Sequence, residues 1–81
     1  MESKWFVYLL ECSDGTLYCG ITNNLEKRIR VHNSGKGAKY TKTRVPVKLY
    51  YYEELSDKSS ASKREWRIKK LSRTQKLQLK K

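Results

Sequence analysis

The chain is short of acid. It carries 8 aspartates and glutamates against 19 lysines and arginines, a formal charge of +11 on 81 residues. The shortage is uneven: Lys27 to Lys48 holds eight basic residues and no acidic one, while Lys63 to Lys81 holds nine with the single acid Glu65. Self-repulsion of this size destabilises a small domain, so solubility alone is a poor explanation for it. Blocks of one sign attract polyanions, with an affinity that falls steeply with salt through counterion release. Long apolar runs are missing too. The opening one, Trp5 to Leu10, is six residues long and closed by Glu11, too short for a signal peptide or a membrane span. Neither lysine-rich stretch has the broad apolar face of an interfacial helix. The two cysteines, Cys12 and Cys19, lack metal-site spacing and are too few for a disulfide scaffold. In strands they act as small apolar side chains, and a reducing cytoplasm is the expected setting. No repeat or linker divides the chain, so one domain over residues 1–81 is expected, near the lower size limit for a single core.

What is present reads as alternating elements. Lys4 to Cys12 is rich in aromatic and branched residues and predicts a strand; Leu17 to Thr22 predicts a second, with Asp14-Gly15 between them as a hairpin signal. Asn23 or Asn24 can cap a helix running to about Asn33, with Leu25 and Ile29 buried, and Gly35 and Gly37 end it. Lys36 to Arg44 reads as a polar, basic, irregular loop, expected to move unless phosphate holds it. Pro46 bars helix, and Val47 to Leu55 predicts a third strand. A helix is expected from about Ser59 to Lys70, and Ser72 with Gln75 forms a capping box for a last short one. The fold class is therefore α+β, a small three-stranded antiparallel sheet flanked by helices in the order β-β-α-β-α-α. Trp5, Trp66 and Tyr50-Tyr51-Tyr52 are expected mainly in the core, with alternate tyrosines on opposite sides.

The hairpin register carries a functional consequence. A two-residue Asp14-Gly15 loop would put Tyr8 and Tyr18 on opposite sides of the sheet, because side chains alternate with period two. A three-residue loop, Ser13-Asp14-Gly15 with Gly15 left-handed, pairs Tyr8 with Gly20 and Leu10 with Tyr18, and both phenols share a face. The longer loop is the expectation here. Arg28 and His32, four apart, stack on one helical face at the edge of the apolar stripe. Alone, such a histidine is a packing residue and such an arginine a solvated flank. Beside two tyrosines they become a set of groups able to cut a phosphodiester.

Phe6-Val7-Tyr8, Tyr18-Cys19-Gly20-Ile21-Thr22, Asn24-Leu25-Glu26-Lys27-Arg28 with His32-Asn33, and Ala61 followed by Glu65 resemble the GIY-YIG nuclease family in order and spacing. The nearest resemblance is to its small stand-alone bacterial members, which consist of the bare catalytic module. The resemblance implies that Tyr8, as phenolate or hydrogen-bond acceptor, activates the attacking water, and that His32 takes its proton. It further implies that Arg28 clamps the scissile phosphate, that Tyr18 positions it, and that Glu65 binds one divalent cation, Mg²⁺ being expected. Glu65 on its own would read as an ion pair with Lys69 at i+4. Lys27 is a further candidate for lowering the phenol pKa. Lys36, Lys39, Lys42 and Arg44 join it as candidate nucleic-acid contacts that position rather than specify.

Two departures from the family pattern stand out. The motifs read Phe-Val-Tyr and Tyr-Cys-Gly, with Cys19 expected to point away from the phenols. The polar asparagine that many members carry late in the domain has no counterpart, since Asn23, Asn24 and Asn33 all precede the third strand. The expected function is a divalent-metal-dependent endonuclease acting on nucleic acid, DNA first, in a setting such as repair or recombination. No membrane and no small-molecule cofactor are expected, and a monomer is the default. The alternative is a basic nucleic-acid-binding module that keeps the fold without useful turnover. A partner-binding adaptor is a third class, distinguished by association that survives high salt.

Overall fold

Antiparallel pairing begins at the turn between β1 (Trp5–Glu11) and β2 (Leu17–Thr22). The structure, a computed structural model, describes residues 4–80. Asp14 Oδ1 accepts from the Thr16 backbone N–H at 3.1 Å and from its hydroxyl at 2.6 Å, and Gly15 sits at φ +85°. That left-handed residue closes the three-residue loop between Cys12 and Thr16, whose backbones bond at 2.8 Å. The register that follows pairs Tyr8 with Gly20 and Leu10 with Tyr18, as the longer loop requires. Both phenols share one face of the sheet.

Helix α1 (Leu25–Asn33) starts at Asn24, whose side chain accepts from Lys27 N–H, and turns out at Ser34 before Gly35 at φ +82°. Leu25 and Ile29 are half-buried rather than fully buried, packing against the cluster of Tyr8, Leu10, Cys12 and Val47. The segment expected as an irregular loop instead contains a one-turn helix, α2 (Lys39–Lys42), with Thr41 completely buried. No apolar periodicity marks it; a side-chain hydrogen bond to α1, described below, holds it in place.

Strand β3 (Lys48–Leu55) pairs antiparallel with β1, giving the order β2-β1-β3. Asn33 fastens its start: the side-chain NH₂ donates to Val47 O at 3.1 Å and the side-chain oxygen accepts from Val47 N–H at 2.6 Å. Pairing shifts between Leu9–Tyr51 and Leu10–Leu49, so Tyr50 is the extra residue of a bulge. The shift corrects the expectation for the tyrosine run. Tyr50 and Tyr51 both pack toward the Val7, Leu9, Cys19 and Ile68 cluster, while Tyr52 is half-exposed against Phe6.

On that second face lies α3 (Lys58–Lys69), capped by Asp57 and burying Ala61 and Ile68, then α4 (Arg73–Gln78) with the expected Ser72–Gln75 capping box. Tyr50 donates its hydroxyl to Leu77 O at 2.8 Å, tying α4 to the sheet. Trp66 is not core: it is 62% exposed, because two residues of helix turn it about 200° from the buried Ile68. Lys70 lies over its ring, 4.5 Å from the centroid. The element order is the expected one with α2 added.

Candidate active site

β1 and β2 bring Tyr8 and Tyr18 to the face that α1 covers, and the α1 phase adds Arg28 and His32. His32 is completely buried, and its Nε2 lies 3.1 Å from the Tyr8 hydroxyl. The Tyr18 ring packs edge-on to the imidazole at 5.3 Å between centroids and lies 6.5 Å from the Tyr8 ring. Gly20, opposite Tyr8 in the pairing, leaves the room these rings use: a Cβ there would sit 2.5 Å from the Tyr8 hydroxyl. Arg28 lies beside Tyr8 and lines a shallow hollow of about 180 Å³ with Thr22, Asn23, Asn24, Lys27 and Val31. Four of the five expected catalytic side chains therefore meet.

Burial governs the protonation of the pair. It raises the Tyr8 phenol above its ordinary 10.0, and the neighbouring Arg28 charge only partly offsets the rise. Tyr8 is thus a neutral phenol at rest, not a phenolate, and the charge acting on it is Arg28 rather than the exposed Lys27. His32 is pushed down to about 4, first by burial and then by Arg28, so its imidazole is neutral at pH 7.

Residues outside the expected set complete the site. Thr41 Oγ1 lies 2.7 Å from His32 Nδ1. Tyr40 stacks on Tyr18 at 5.9 Å, and the Arg44 guanidinium covers Tyr40 at 4.1 Å. The chain passes directly over the imidazole at Gly37, where any Cβ would collide with the ring. A lone Thr among lysines gives no sequence signal for such a role; only the length of the α1–β3 connection hints that the segment folds back. Of the expected phosphate contacts, Lys27, Lys36, Lys39 and Lys42 are exposed. Arg44 is engaged internally, donating to Asp14 Oδ2 at 3.0 Å and to Tyr40 O at 2.7 Å.

Glu65 is carried by a different element, α3. Its helix packs on the opposite face of the sheet, and its carboxylate pairs with Lys69 at 3.2 Å. Its neighbour Arg64 grips Glu53 of β3 through two bonds of 2.8 Å, so Glu65, about 100° round the helix, turns toward the β2 edge. There, after burial, its charge helps push the Cys19 thiol up to about 12. Cys19 faces α3, away from the phenols, as expected. No group of three or more His, Cys, Asp or Glu among the described residues could cage a metal. The donor set suits only an ion that keeps most of its waters, as magnesium does with one carboxylate and substrate phosphates. Such an ion would have to displace the Lys69 ammonium.

Comparison with known proteins assigns the chain to a family. The model of the GIY-YIG catalytic domain matches residues 4–78, and the chain belongs to that family of endonucleases. Among curated proteins it is 61% identical over 74 residues to UPF0213 protein CPE1444 of Clostridium perfringens, spanning 91% of this chain and 80% of that one. It is 62% identical over 78 residues to a UPF0213 protein of Syntrophus aciditrophicus, spanning 95% and 90%. Two solution NMR structures share the fold. They are UPF0213 protein BH0048 of Bacillus halodurans (TM-score 0.59, 45% identity, 94% of this chain and 81% of that one) and EF2693 of E. faecalis (0.64, 42%, 98% and 86%). GIY-YIG nucleases act on nucleic acid and generally use divalent metal ions. No helix among the described residues is long and apolar enough to cross a membrane.

Proposed function

We propose that this protein hydrolyses phosphodiester bonds of nucleic acid, DNA first, as a one-metal, tyrosine-assisted endonuclease. The observation that carries the reading is the buried Tyr8–His32 pair at 3.1 Å beside Arg28 and Tyr18. As water attacks phosphorus, Tyr8 accepts its proton while passing its own phenolic proton to His32, which is neutral and able to receive it. Relay in this sense removes the need for a free phenolate, which burial disfavours. Arg28 stabilises charge on the phosphoryl oxygens through its forked donors, and Tyr18 hydrogen-bonds the same phosphate. The P–O bond to the leaving oxygen breaks in line with the attack. Glu65 would hold the cation at the β2 edge, which would supply neutralisation of the leaving oxygen. Lys27, Lys36, Lys39 and Lys42 bind the backbone on either side.

A second reading has an observation in its favour: the Glu65 carboxylate is paired with Lys69, on the helix that covers the other face of the sheet. On that reading the domain binds nucleic acid without cutting it. Supercoiled plasmid incubated with purified protein and Mg²⁺ separates the two. Nicking that Tyr8→Phe, Arg28→Ala and Glu65→Ala each abolish while binding persists supports the enzyme. Retention without product at every metal and substrate tried supports the binding module.

A further inference from the structure

Both ring nitrogens of the buried imidazole have one partner each, so the protons among four groups can be counted. Thr41 Oγ1 lies 3.0 Å from Ala38 O. Two oxygens approach this closely with a gain in energy only if one carries a proton toward the other, and a carbonyl has none. The threonine hydroxyl therefore donates to Ala38. Its single proton is then spent, and the 2.7 Å contact between Thr41 Oγ1 and His32 Nδ1 needs a proton from the ring. A neutral imidazole has only one N–H. Placing it on Nδ1 leaves the Nε2 lone pair directed at the Tyr8 hydroxyl, 3.1 Å away.

We propose that Thr41 is a positioning residue: by accepting from Nδ1–H of His32 it fixes the tautomer in which Nε2 is the proton acceptor for Tyr8. This goes beyond the phosphodiesterase reading and does not depend on it. The opposite tautomer would turn Nε2–H toward the phenol oxygen, and the Tyr8 proton would have nowhere to go on the histidine side. Three features hold the arrangement. Thr41 is completely buried, α2 anchors it through backbone bonds from Thr41 and Lys42 to Ala38 O at 3.1 Å each, and Gly37 lets the strand of chain lie against the ring. Among the described residues no buried side-chain nitrogen or oxygen lacks a partner, so no spare group competes for Nδ1.

The chain has a single histidine, so its ring signals need no assignment by mutation. Long-range ¹H–¹⁵N correlation spectra of the full ¹⁵N-labelled chain at pH 7, without substrate, should show a pyrrole-type Nδ1 and a pyridine-type Nε2. The Nδ1 proton should exchange slowly and show a through-space contact to Thr41. Thr41→Ser should keep this pattern. Thr41→Val, with the same shape but no acceptor, should lose it, the Nδ1–H share falling several-fold. A proton on Nε2 in the wild type overturns the proposal, as does an unchanged pattern in folded Thr41→Val. Should the valine variant not fold, the wild-type tautomer and the Thr41 contact still decide. In a cleavage assay, Thr41→Val should lower kcat by up to roughly 100-fold at unchanged KM, with rescue by serine. The spectra require no turnover, so failure of the nuclease reading would appear in that assay alone.

Discussion

Acidifying the protein should destabilise it through His32 before Asp14, Glu53 and Asp57, whose carboxyls are held below their ordinary range, are protonated. The folded ring titrates at about 4, its burial and Arg28 opposing the charged form, against an ordinary value of 6.5. In the unfolded chain the ring binds a proton below 6.5, while the folded state refuses it down to about 4, so acid favours unfolding across that window. The stabilisation is complete above the unfolded value and is lost as pH falls toward the folded one. Linkage gives a loss of about 2 kcal/mol between pH 7 and 5, and at most about 3 kcal/mol by pH 4. Asp14, Glu53 and Asp57 have lowered pKa values, so their contributions are present above 3.8 to 4.5 and disappear only below that range. Urea unfolding of the wild type and His32→Gln at half-unit pH steps should therefore diverge between pH 7 and 5. The wild type should slope and the glutamine variant, which cannot titrate, should stay flat. Parallel profiles, or a histidine that titrates near 6.5 by NMR in the folded protein, would refute the account of the buried ring.

Gly20→Ala forces a methyl to within 2.5 Å of the Tyr8 hydroxyl and 3.2 Å of the Tyr18 ring; about 1–3 kcal/mol of stability should be lost in thermal unfolding, together with any cleavage activity. Asn33→Ala removes both side-chain bonds to Val47, and should cost about 2 kcal/mol in denaturant titrations without changing His32's tautomer. Lys39→Ala and Lys42→Ala should each lower the slope of log affinity against log salt for duplex DNA by about 0.9 and weaken binding uniformly across sequences. Chelating divalent metal, or Glu65→Gln, should abolish plasmid nicking while leaving gel-shift affinity nearly intact; cleavage that survives both would remove Glu65 and the cation from the reaction.

The strands, the long helices and the hairpin register were legible because each has a local cause: alternation of apolar residues, Asn24 and Ser72 as caps, and Gly15 as the left-handed residue of the turn. The convergence of Tyr8, Tyr18, Arg28 and His32 follows from that register and from the four-residue spacing on α1. Helix α2 was not legible, since Lys39-Tyr40-Thr41-Lys42 has neither length nor apolar spacing and owes its form to a bond with a histidine nine residues earlier. The bulge at Tyr50 was invisible for a related reason: it is a property of pairing with β1, not of the tyrosine run itself. Trp66 is exposed because helical phase, set by the buried Ile68, overrides its aromatic character. For Glu65 the competing pair with Lys69 was visible in advance, and which face α3 would cover was not.

Because the connection from Gly35 to Val47 is tied down at Val47 by Asn33, at Arg44 by Asp14 and at its middle by Thr41 beneath the imidazole, its length is tightly constrained. Insertions that surface loops ordinarily absorb would here lift the strap and tilt the ring. Grafting a new recognition loop onto this scaffold should therefore succeed at the exposed α3–α4 turn and fail between α1 and β3.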